Sequence, residues 1–300
     1  MEMQEQGTRI FADYAAGRAI DARVLQEMLP YFGAEYGNPS AAYTEGVRAR
    51  RALDAARERV AAVLGAHPEE IFFTSGATEA DNWAIRGALR SRGGGVVTSR
   101  LEHPAVLRCC EACADDGTRV SYADVEENGR VSLDALSRLL RDGSVSLVTM
   151  MYANHETGVI QPVEEAASLA HKAGAWLLCD AVQAMATQPI DVGAIGVDLL
   201  TVSGHKLGAP RGVGAMYVRR GVKLAPFLQG GGQERGLRSG TESVAMAVGL
   251  AKALELCAEA REQNDRVRAM AERLLAALCR IPRRTGEWMA KYVRTASRHS

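Results

Sequence analysis

The chain has 300 residues, 47% of them hydrophobic and 24% charged, a composition typical of a soluble globular protein with a sizeable core. Basic and acidic side chains are equal in number, so no overall charge attracts nucleic acid or an anionic membrane. The polar start MEMQEQGTRI lacks the apolar stretch of a signal peptide, and no run is apolar enough for a membrane helix. We therefore expect a cytoplasmic protein whose six cysteines are free thiols.

The order of apolar patterns along the chain predicts an α/β fold. The first 70 residues are predicted to be mainly helical, with one long helix over 44–65. Short apolar runs then alternate with helical patterns, which predicts a mostly parallel sheet flanked by helices on both faces. The predicted strands are 70–75, 96–99, 119–125, 146–153, 176–182 and 198–204, with 212–220 as an antiparallel return. The predicted helices are 76–90, 103–116, 132–143 and 163–174.

The C-terminal part changes in character. A glycine-rich loop is predicted over 227–243 and a long helix over 241–279. Residues 280–300 carry six lysines and arginines against one acid and lack clear periodicity, which predicts a frayed basic tail, with an extra helix as the alternative. The predicted organisation is a large domain over 1–255, the end of a long helix over 256–279, and this tail.

Polar side chains follow several predicted strands, at the sheet edge where parallel α/β proteins bind ligands. Lys206 ends the apolar strand DLLTVSG among glycines and small residues, which is unusual for a surface lysine. Asp180 ends WLLCD, where an acid is costly to bury without a cation or a strong donor. His103 follows VVTS, although a single histidine there is commonly structural. Their occurrence at several strand ends indicates one shared site.

The stretch TSGATE (74–79) ends a strand and begins a helix. The N–H groups of Gly76, Ala77 and Thr78 would lie at the positive end of the helix dipole, where an anion such as phosphate binds. Ordinary N-capping by Thr74 or Ser75 is the alternative interpretation of the same residues.

A phosphate site, a buried acid, a histidine and a lysine together suit pyridoxal 5'-phosphate. Its aldehyde forms a Schiff base with lysine, its ring nitrogen pairs with a carboxylate, and its ring needs a flat side chain on one face. The residues that suit these roles are Lys206, Asp180, His103 and, for the phosphate, the 75–78 loop with Ser203 and His205. An imine at Lys206 would also avoid burying a free ammonium group.

Seven motifs, in family order over about residues 10–255, resemble those of cysteine desulfurases in the class V aminotransferase family. They are YGNPSAAYTEG (36–46), FFTSGATEADNWAIRG (72–87), EHPAVL (102–107), NHETGVIQPV (154–163), CDAVQ (179–183), SGHKLGAPRGVGAMYVRR (203–220) and GGGQERGLRSGT (230–241). The resemblance implies the large domain of a fold-type I pyridoxal-phosphate enzyme and a homodimer. It also implies release of sulfur from L-cysteine to give alanine, supplying iron–sulfur clusters or thio-cofactors through a sulfur-acceptor protein.

The resemblance implies a role for each matching residue. Lys206 resembles the Schiff-base lysine that takes the substrate α-proton, His103 the ring-stacking histidine that assists proton transfer, and Asp180 the partner of the pyridinium nitrogen. Gln183 matches the amide on the ring hydroxyl, and His155 stands where the family usually has asparagine near that hydroxyl and the substrate. The residues that match the phosphate site are Ala77, Thr78, Ser203 and His205, together with Thr241, which reaches the phosphate of the partner subunit. No metal site is expected.

The resemblance ends after Cys279. Family members continue for about one more small domain, which carries the nucleophilic cysteine in a Ser/Gly-rich loop and an arginine for the substrate carboxylate. We expect a truncated or frameshifted member with that domain mostly missing and with impaired activity. A lyase, racemase or transaminase using the same cofactor, and a non-catalytic partner subunit of an intact desulfurase, are the alternatives.

Smaller departures lie on the substrate side and among the cysteines. Gly17 and Arg18 replace a threonine pair, and Tyr43 replaces a histidine. The cysteines are predicted to lie in the core, with Cys179 facing away from the cofactor because adjacent strand residues point to opposite faces.

Overall fold

The computed structural model describes residue 11, residues 13–261, residues 264–278 and residue 280. The helices within these ranges are α1 (Ala22–Met28), α2 (Thr44–Leu64), α3 (Ala77–Arg92), α4 (Pro104–Asp115), α5 (Leu133–Leu140), α6 (Val163–Lys172), α7 (Val192–Ile195), α8 (Val244–Ala260) and α9 (Asn264–Leu278). The strands are β1 (Ile71–Thr74), β2 (Gly95–Ser99), β3 (Val120–Ala123), β4 (Val145–Met151), β5 (Trp176–Asp180), β6 (Leu199–Ser203) and β7 (Gly214–Val218). Not one of these helices has the length and apolar character needed to cross a membrane.

The strands form one sheet in the order β1-β7-β6-β5-β4-β2-β3. The pairs β2–β3, β2–β4, β4–β5 and β5–β6 are parallel, whereas β7 runs antiparallel to both of its neighbours. The prediction of a mostly parallel sheet with an antiparallel return near 212–220 is therefore confirmed. Because β4, β5 and β6 run in the same direction, their carboxyl ends meet at one edge.

Period-2 alternation along each strand divides the core into two halves. On β5, Leu177 and Cys179 pack into the half that also contains α2, α6 and α8, and Leu178 packs into the other half beside α3 and α4. Asp180 lies two residues after Leu178 on the same strand, so its side chain points to the same face of the sheet, toward α3. The prediction that Cys179 faces away from this side is confirmed.

Two helix starts show how local sequence sets the element boundaries. Ser132 is the N-cap residue of α5, and its hydroxyl accepts a hydrogen bond from the Ala135 N–H. Pro104 occupies the first position of α4, where its missing N–H leaves no hydrogen bond unmade.

The structure differs from the predictions at both ends of the chain. Residues 33–43 are not helical, so the N-terminal part holds two separate α-helices rather than a mainly helical segment. The single helix predicted over 241–279 is wrong, because the structure has α8 and α9 instead. The sequence AEAREQNDR (258–266) offers no large apolar side chain to anchor a helix to the core between them. The predicted tail lies outside the described residues, apart from Arg280.

The outer edge of β1 is covered by an edge cluster formed by Arg57, Glu234 and Arg235. Arg57 binds Glu234 with two hydrogen bonds of 2.8 and 2.7 Å, and both side chains are buried. Arg57 and Arg235 each donate to the Ile71 carbonyl at 2.7 Å, and the Phe73 N–H donates to Glu234 at 3.1 Å. These side chains hydrogen-bond backbone groups that an edge strand would otherwise leave unpaired.

Candidate active site

A cavity of about 840 Å³ opens at the carboxyl ends of β4, β5 and β6. We call it the strand-end cavity. The predicted site residues that line it are Ala77, Thr78, His103, His155, Asp180, Gln183, Ser203, His205 and Lys206. Thr241, the tenth predicted residue, is exposed and does not line the cavity in this chain. The structure therefore brings together nine of the ten predicted site residues, from five separate segments of the chain.

The N-terminus of α3 forms one wall of the cavity. Gly76 is the N-cap residue, and no side chain caps the helix. The alternative prediction of N-capping by Thr74 or Ser75 is wrong, because the Thr74 hydroxyl instead donates to the Gly76 carbonyl at 3.0 Å. The first N–H groups of the helix therefore keep the capacity to bind an anion from the cavity.

Two further features complete this wall. The Ser203 hydroxyl oxygen and His205 Nδ1 lie 2.9 Å apart, which places two hydrogen-bonding side chains beside the start of α3. Gly214 lets β7 approach the turn closely, because a Cβ atom there would lie 2.7 Å from the Gly76 Cα atom. A side chain at residue 214 would displace the turn that begins α3.

An ion pair connects the glycine-rich loop to this helix start. Arg238 donates to both carboxylate oxygens of Glu79, at 2.7 and 3.0 Å, and the Ser75 N–H donates to Glu79 at 2.9 Å. Burial opposes ionisation of Glu79, but the bonds from Arg238 and Ser75 are stronger and lower its pKa. Glu79 thus stays ionised and fixes the Ser75 backbone at the cavity rim.

Asp180 is buried at the end of β5. Its Oδ1 accepts a hydrogen bond of 2.9 Å from the Val182 N–H. Burial raises the pKa of Asp180 to about 6, although the Val182 bond and the charges of His155 and Lys206 act in the opposite direction. The carboxylate therefore depends on nearby positive charge, and a cationic ligand group in the cavity would stabilise it.

Lys206 reaches into the cavity from the turn after β6. Its Nζ donates to the carbonyl of Ala15, and the Gln183 amide donates to the same carbonyl at 3.1 Å. Burial lowers the pKa of Lys206, whereas Asp13 and Asp180 raise it. A lysine with a lowered pKa is a better nucleophile and base near neutral pH than an exposed one.

His103 is both the N-cap of α4 and a wall of the cavity. Its Nδ1 accepts a hydrogen bond of 3.1 Å from the Ala105 N–H, so the neutral ring carries its proton on Nε2. Burial lowers the pKa of His103, and the charges of His155, Lys206 and His205 lower it further. The neutral ring is therefore the main form at neutral pH.

His155 lies next to His103, with ring centroids 5.5 Å apart and an interplanar angle of 69°. Its Nδ1 is buried and has no hydrogen-bond partner. A buried nitrogen without a partner is destabilising unless a ligand bonds to it, so this atom marks a position where the cavity can accept a polar group.

Sequence reasoning missed two buried acids behind the cavity, Asp81 on α3 and Glu102 just before His103. The sequence did contain a signal for Asp81. It lies between Ala80 and Ala84 on a helix whose inward face is apolar, so a carboxyl group there has to be buried.

No cysteine among the described residues lines the cavity. The five described cysteines are free and buried. Burial raises the pKa of Cys109 to about 12 and also raises that of Cys110, Cys179 and Cys257. These thiols are therefore poor nucleophiles at neutral pH, in agreement with their prediction as core residues. Cys279 lies outside the described residues.

Comparisons with known proteins agree with this geometry. The family described as "Aminotransferase class-V" matches residues 10–292, so the prediction that the family resemblance ends after Cys279 is wrong. The chain is 46% identical over 260 residues to "Putative cysteine desulfurase IscS 1" of Bacillus subtilis, covering 86% of this chain and 68% of the relative. It is 43% identical over 278 residues to "Cysteine desulfurase IscS" of Methanosarcina thermophila, covering 91% of this chain and 69% of that one.

Solved structures show the same fold. A "NIFS-LIKE PROTEIN" superimposes with a TM-score of 0.86 at 38% identity, covering 89% of this chain and 74% of its own. "SspA in complex with cysteine" gives a TM-score of 0.78 at 38% identity, covering 81% of this chain and 71% of its own. The resemblance found in the seven sequence motifs is thereby confirmed, and the chain belongs to the aminotransferase class-V family, among relatives named as cysteine desulfurases.

Proposed function

We propose that the protein is a pyridoxal-phosphate-dependent cysteine desulfurase, which converts L-cysteine to alanine and passes the sulfur atom to a thiol. The observation that carries the proposal is the strand-end cavity itself. It joins the Lys206 amine, the Asp180 carboxyl, the His103 imidazole and an uncapped helix N-terminus. These four groups are the chemical complement of the aldehyde, ring nitrogen, ring face and phosphate of this cofactor.

The cavity fits the cofactor by two further tests. The α3 N–H groups lack a side-chain cap, so a phosphate would supply the missing acceptor. The Asp180 carboxylate is buried with a single backbone donor, so a protonated ring nitrogen would supply the missing positive charge. His155 Nδ1, which has no partner, would remain for the ring hydroxyl or the substrate, and Gln183 also lines the cavity.

When bound, pyridoxal phosphate supplies an electron sink for the bond that breaks at the substrate α-carbon. Lys206 Nζ lies in reach of the cavity and, with its lowered pKa, is suited to accept and return the α-proton. His103 lines the cavity with a mainly neutral ring whose proton is on Nε2, which suits it to donate a hydrogen bond to a bound group. The Asp180 carboxylate would pair with the protonated ring nitrogen and so orient the cofactor.

Sulfur transfer needs an attacking thiol. One thiol, R–SH, attacks the substrate sulfur, the C–S bond breaks, and the products are alanine and R–S–SH. The described cysteines are buried outside the cavity, so we propose that the thiol comes from another part of the protein, from an acceptor protein, or from an added reductant. From the family resemblance we also propose a homodimer, in which Thr241, exposed in this chain, contacts the partner's site. The free thiols support a cytoplasmic location.

The test is product analysis with L-cysteine, pyridoxal phosphate and dithiothreitol. We expect sulfide and alanine in equal amounts, at a rate above that of the free cofactor. Pyruvate and ammonia in place of alanine would identify a lyase, and D-cysteine without sulfide would identify a racemase. Either result, or no product above the free cofactor, would refute the desulfurase proposal.

The same proposal predicts a role for the Arg238–Glu79 ion pair in cofactor affinity. Arg238→Met removes two charge-assisted hydrogen bonds and frees the Glu79 side chain that holds Ser75 at the helix start. We expect the Kd for pyridoxal phosphate, measured by fluorescence titration, to rise about tenfold, since such bonds contribute about 1.5–3 kcal/mol. Arg220→Met, which breaks the exposed pair with Glu69, is the control and should leave Kd unchanged. Equal Kd values for both variants would exclude this role.

A further inference from the structure

Two buried carboxyl groups flank Asp180 across the sheet. In the parallel register, the partner of Asp180 on β4 is Met151 and its partner on β6 is Thr201. Each of these partners is hydrogen-bonded to one of the acids that the proposed mechanism does not use, Glu102 and Asp81. We call Asp81 and Glu102 the flanking acids.

Asp81 connects α3 to β6. Its Oδ1 accepts a hydrogen bond of 2.8 Å from the Thr201 hydroxyl, and its Oδ2 is buried without a partner. The side chain is 0% exposed. The start of α3 is the proposed phosphate-binding turn, and β6 leads directly to Ser203 and Lys206. This one hydrogen bond therefore holds the proposed phosphate-binding turn in position relative to Lys206.

Glu102 connects the segment before α4 to β4. Its Oε1 accepts a hydrogen bond of 2.6 Å from the Met151 N–H, and its Oε2 is buried without a partner. The Asn154 amide also donates to the Leu101 carbonyl at 3.0 Å, which holds the same segment from a second side. Because His103 follows Glu102 directly, this bond fixes the start of α4 relative to the end of β4.

The charges around the flanking acids favour their neutral forms. Among the described residues, the hydrogen-bond partners of the two acids are the Thr201 hydroxyl and the Met151 N–H, neither of which is a cation, and burial is the main cause that raises the pKa of both acids. Asp180 faces both acids and raises their pKa values further. The remaining titratable neighbours, Cys110 and Cys179, are buried thiols and supply no positive charge.

Asp180 differs from the flanking acids in one respect. It has a backbone donor at Val182, and its neighbours His155 and Lys206 act to lower its pKa. Of three acids packed on one face, the one with these partners ionises most readily, and its charge then keeps the other two protonated.

We propose that Asp81 and Glu102 are positioning residues that stay uncharged at neutral pH and hold the strands on either side of Asp180, leaving Asp180 as the carboxylate of the three. This inference rests on the proposed function for its purpose, because Asp180 is the group that would bind the cofactor. The protonation of the flanking acids is nevertheless a property of the protein alone and can be measured without cofactor.

The first test is infrared spectroscopy of the full chain without cofactor at pH 7. We expect Asp81→Asn and Glu102→Gln each to remove intensity equal to one carboxyl group from the absorption band of protonated carboxyls. Glu255→Gln is the matched control, because its bond with Arg59 lowers the pKa of Glu255 and keeps that group ionised. A band unchanged in the two flanking variants would overturn the proposal.

A second test uses the pH dependence of unfolding. The pKa of Glu102 is raised from 4.5 to about 8 in the folded protein, so its contribution to stability is present below pH 4.5 and is lost as pH rises to about 8. Glu102→Gln should therefore reduce the decline in unfolding free energy between these pH values, whereas Glu255→Gln should not. An unchanged decline in Glu102→Gln would overturn the proposal for this residue.

The positioning role is tested by the affinity of the full chain for pyridoxal phosphate. Asp81→Asn and Glu102→Gln keep the size and hydrogen-bonding capacity of a neutral acid, so we expect Kd within about threefold of wild type. Asp81→Ala and Glu102→Ala should raise Kd at least tenfold. The positioning role would be overturned if the alanine variants had the wild-type Kd, or if the amide variants bound as weakly as the alanine variants. Failure of wild type to bind would refute the proposed function instead, and the infrared result would still decide on protonation.

Discussion

Lys206→Ala is expected to abolish covalent attachment of pyridoxal phosphate and to lower alanine production from L-cysteine by about 10²- to 10⁴-fold or more. The amine is the one lysine nitrogen among the cavity-lining residues, and it is the group suited both to hold the cofactor and to move the α-proton. The measurement is borohydride reduction of the loaded protein followed by peptide mass spectrometry. Wild type should carry the added mass at residue 206, and the variant should not carry it at any residue.

Two control variants separate chemistry from folding in this experiment. Lys206→Arg keeps a positive charge that can face Asp180 but cannot form the covalent bond, so it should bind the cofactor without attachment. Lys252→Ala removes a lysine on α8 that pairs with Glu255 and does not line the cavity, so attachment and turnover should be unchanged. Full activity in Lys206→Ala, or attachment at another lysine, would contradict the assignment of Lys206.

The site could be predicted because its residues follow strands whose apolar character is plain in the sequence. Lys206 and Asp180 end two buried strands, and parallel strands bring their carboxyl ends together, so the two side chains had to share one edge. The same argument predicted that His103 and the start of α3 lie at this edge. The strands lie close to their predicted positions, and all of them except the half-buried edge strand β3 are runs of mostly buried residues.

The features that sequence reasoning missed depend on contacts between residues far apart in the chain. Glu234 lies 177 residues from Arg57, and no local pattern connects them. Glu234 and Arg235 adopt φ angles of 46° and 58°, a left-handed conformation that sequence reasoning assigns to glycine. The ion pair and the stacking of Arg235 on the Phe72 ring at 3.8 Å stabilise that conformation only in the folded protein. The prediction of a single helix over 241–279 was wrong for a related reason. The helix-favouring sequence continues past α8, but the packing against the core that α8 makes does not, and the local sequence does not show where that packing ends.

Glu234→Ala is expected to destabilise the protein by about 3–5 kcal/mol. The change leaves the guanidinium of Arg57 buried without its carboxylate, and it leaves the Phe73 N–H at the edge of β1 without an acceptor. A loss of this size is a large fraction of the about 5–15 kcal/mol that stabilises a typical domain. Urea unfolding of the full chain, followed by circular dichroism, measures the change.

The matched control is Glu69→Ala, which removes an exposed partner of Arg220 and should change stability by no more than about 0.5 kcal/mol. Removing both members of the buried pair, as Arg57→Met with Glu234→Leu, should cost less than the sum of the two single changes, because no buried charge then remains unpaired. Additive losses would mean that the pair does not act as a unit. Since Glu234 also begins the turn that leads to Arg238, its loss should weaken cofactor binding through the Glu79 contact. A Glu234→Ala protein within about 1 kcal/mol of wild type would show that solvent or neighbouring groups can replace the edge cluster.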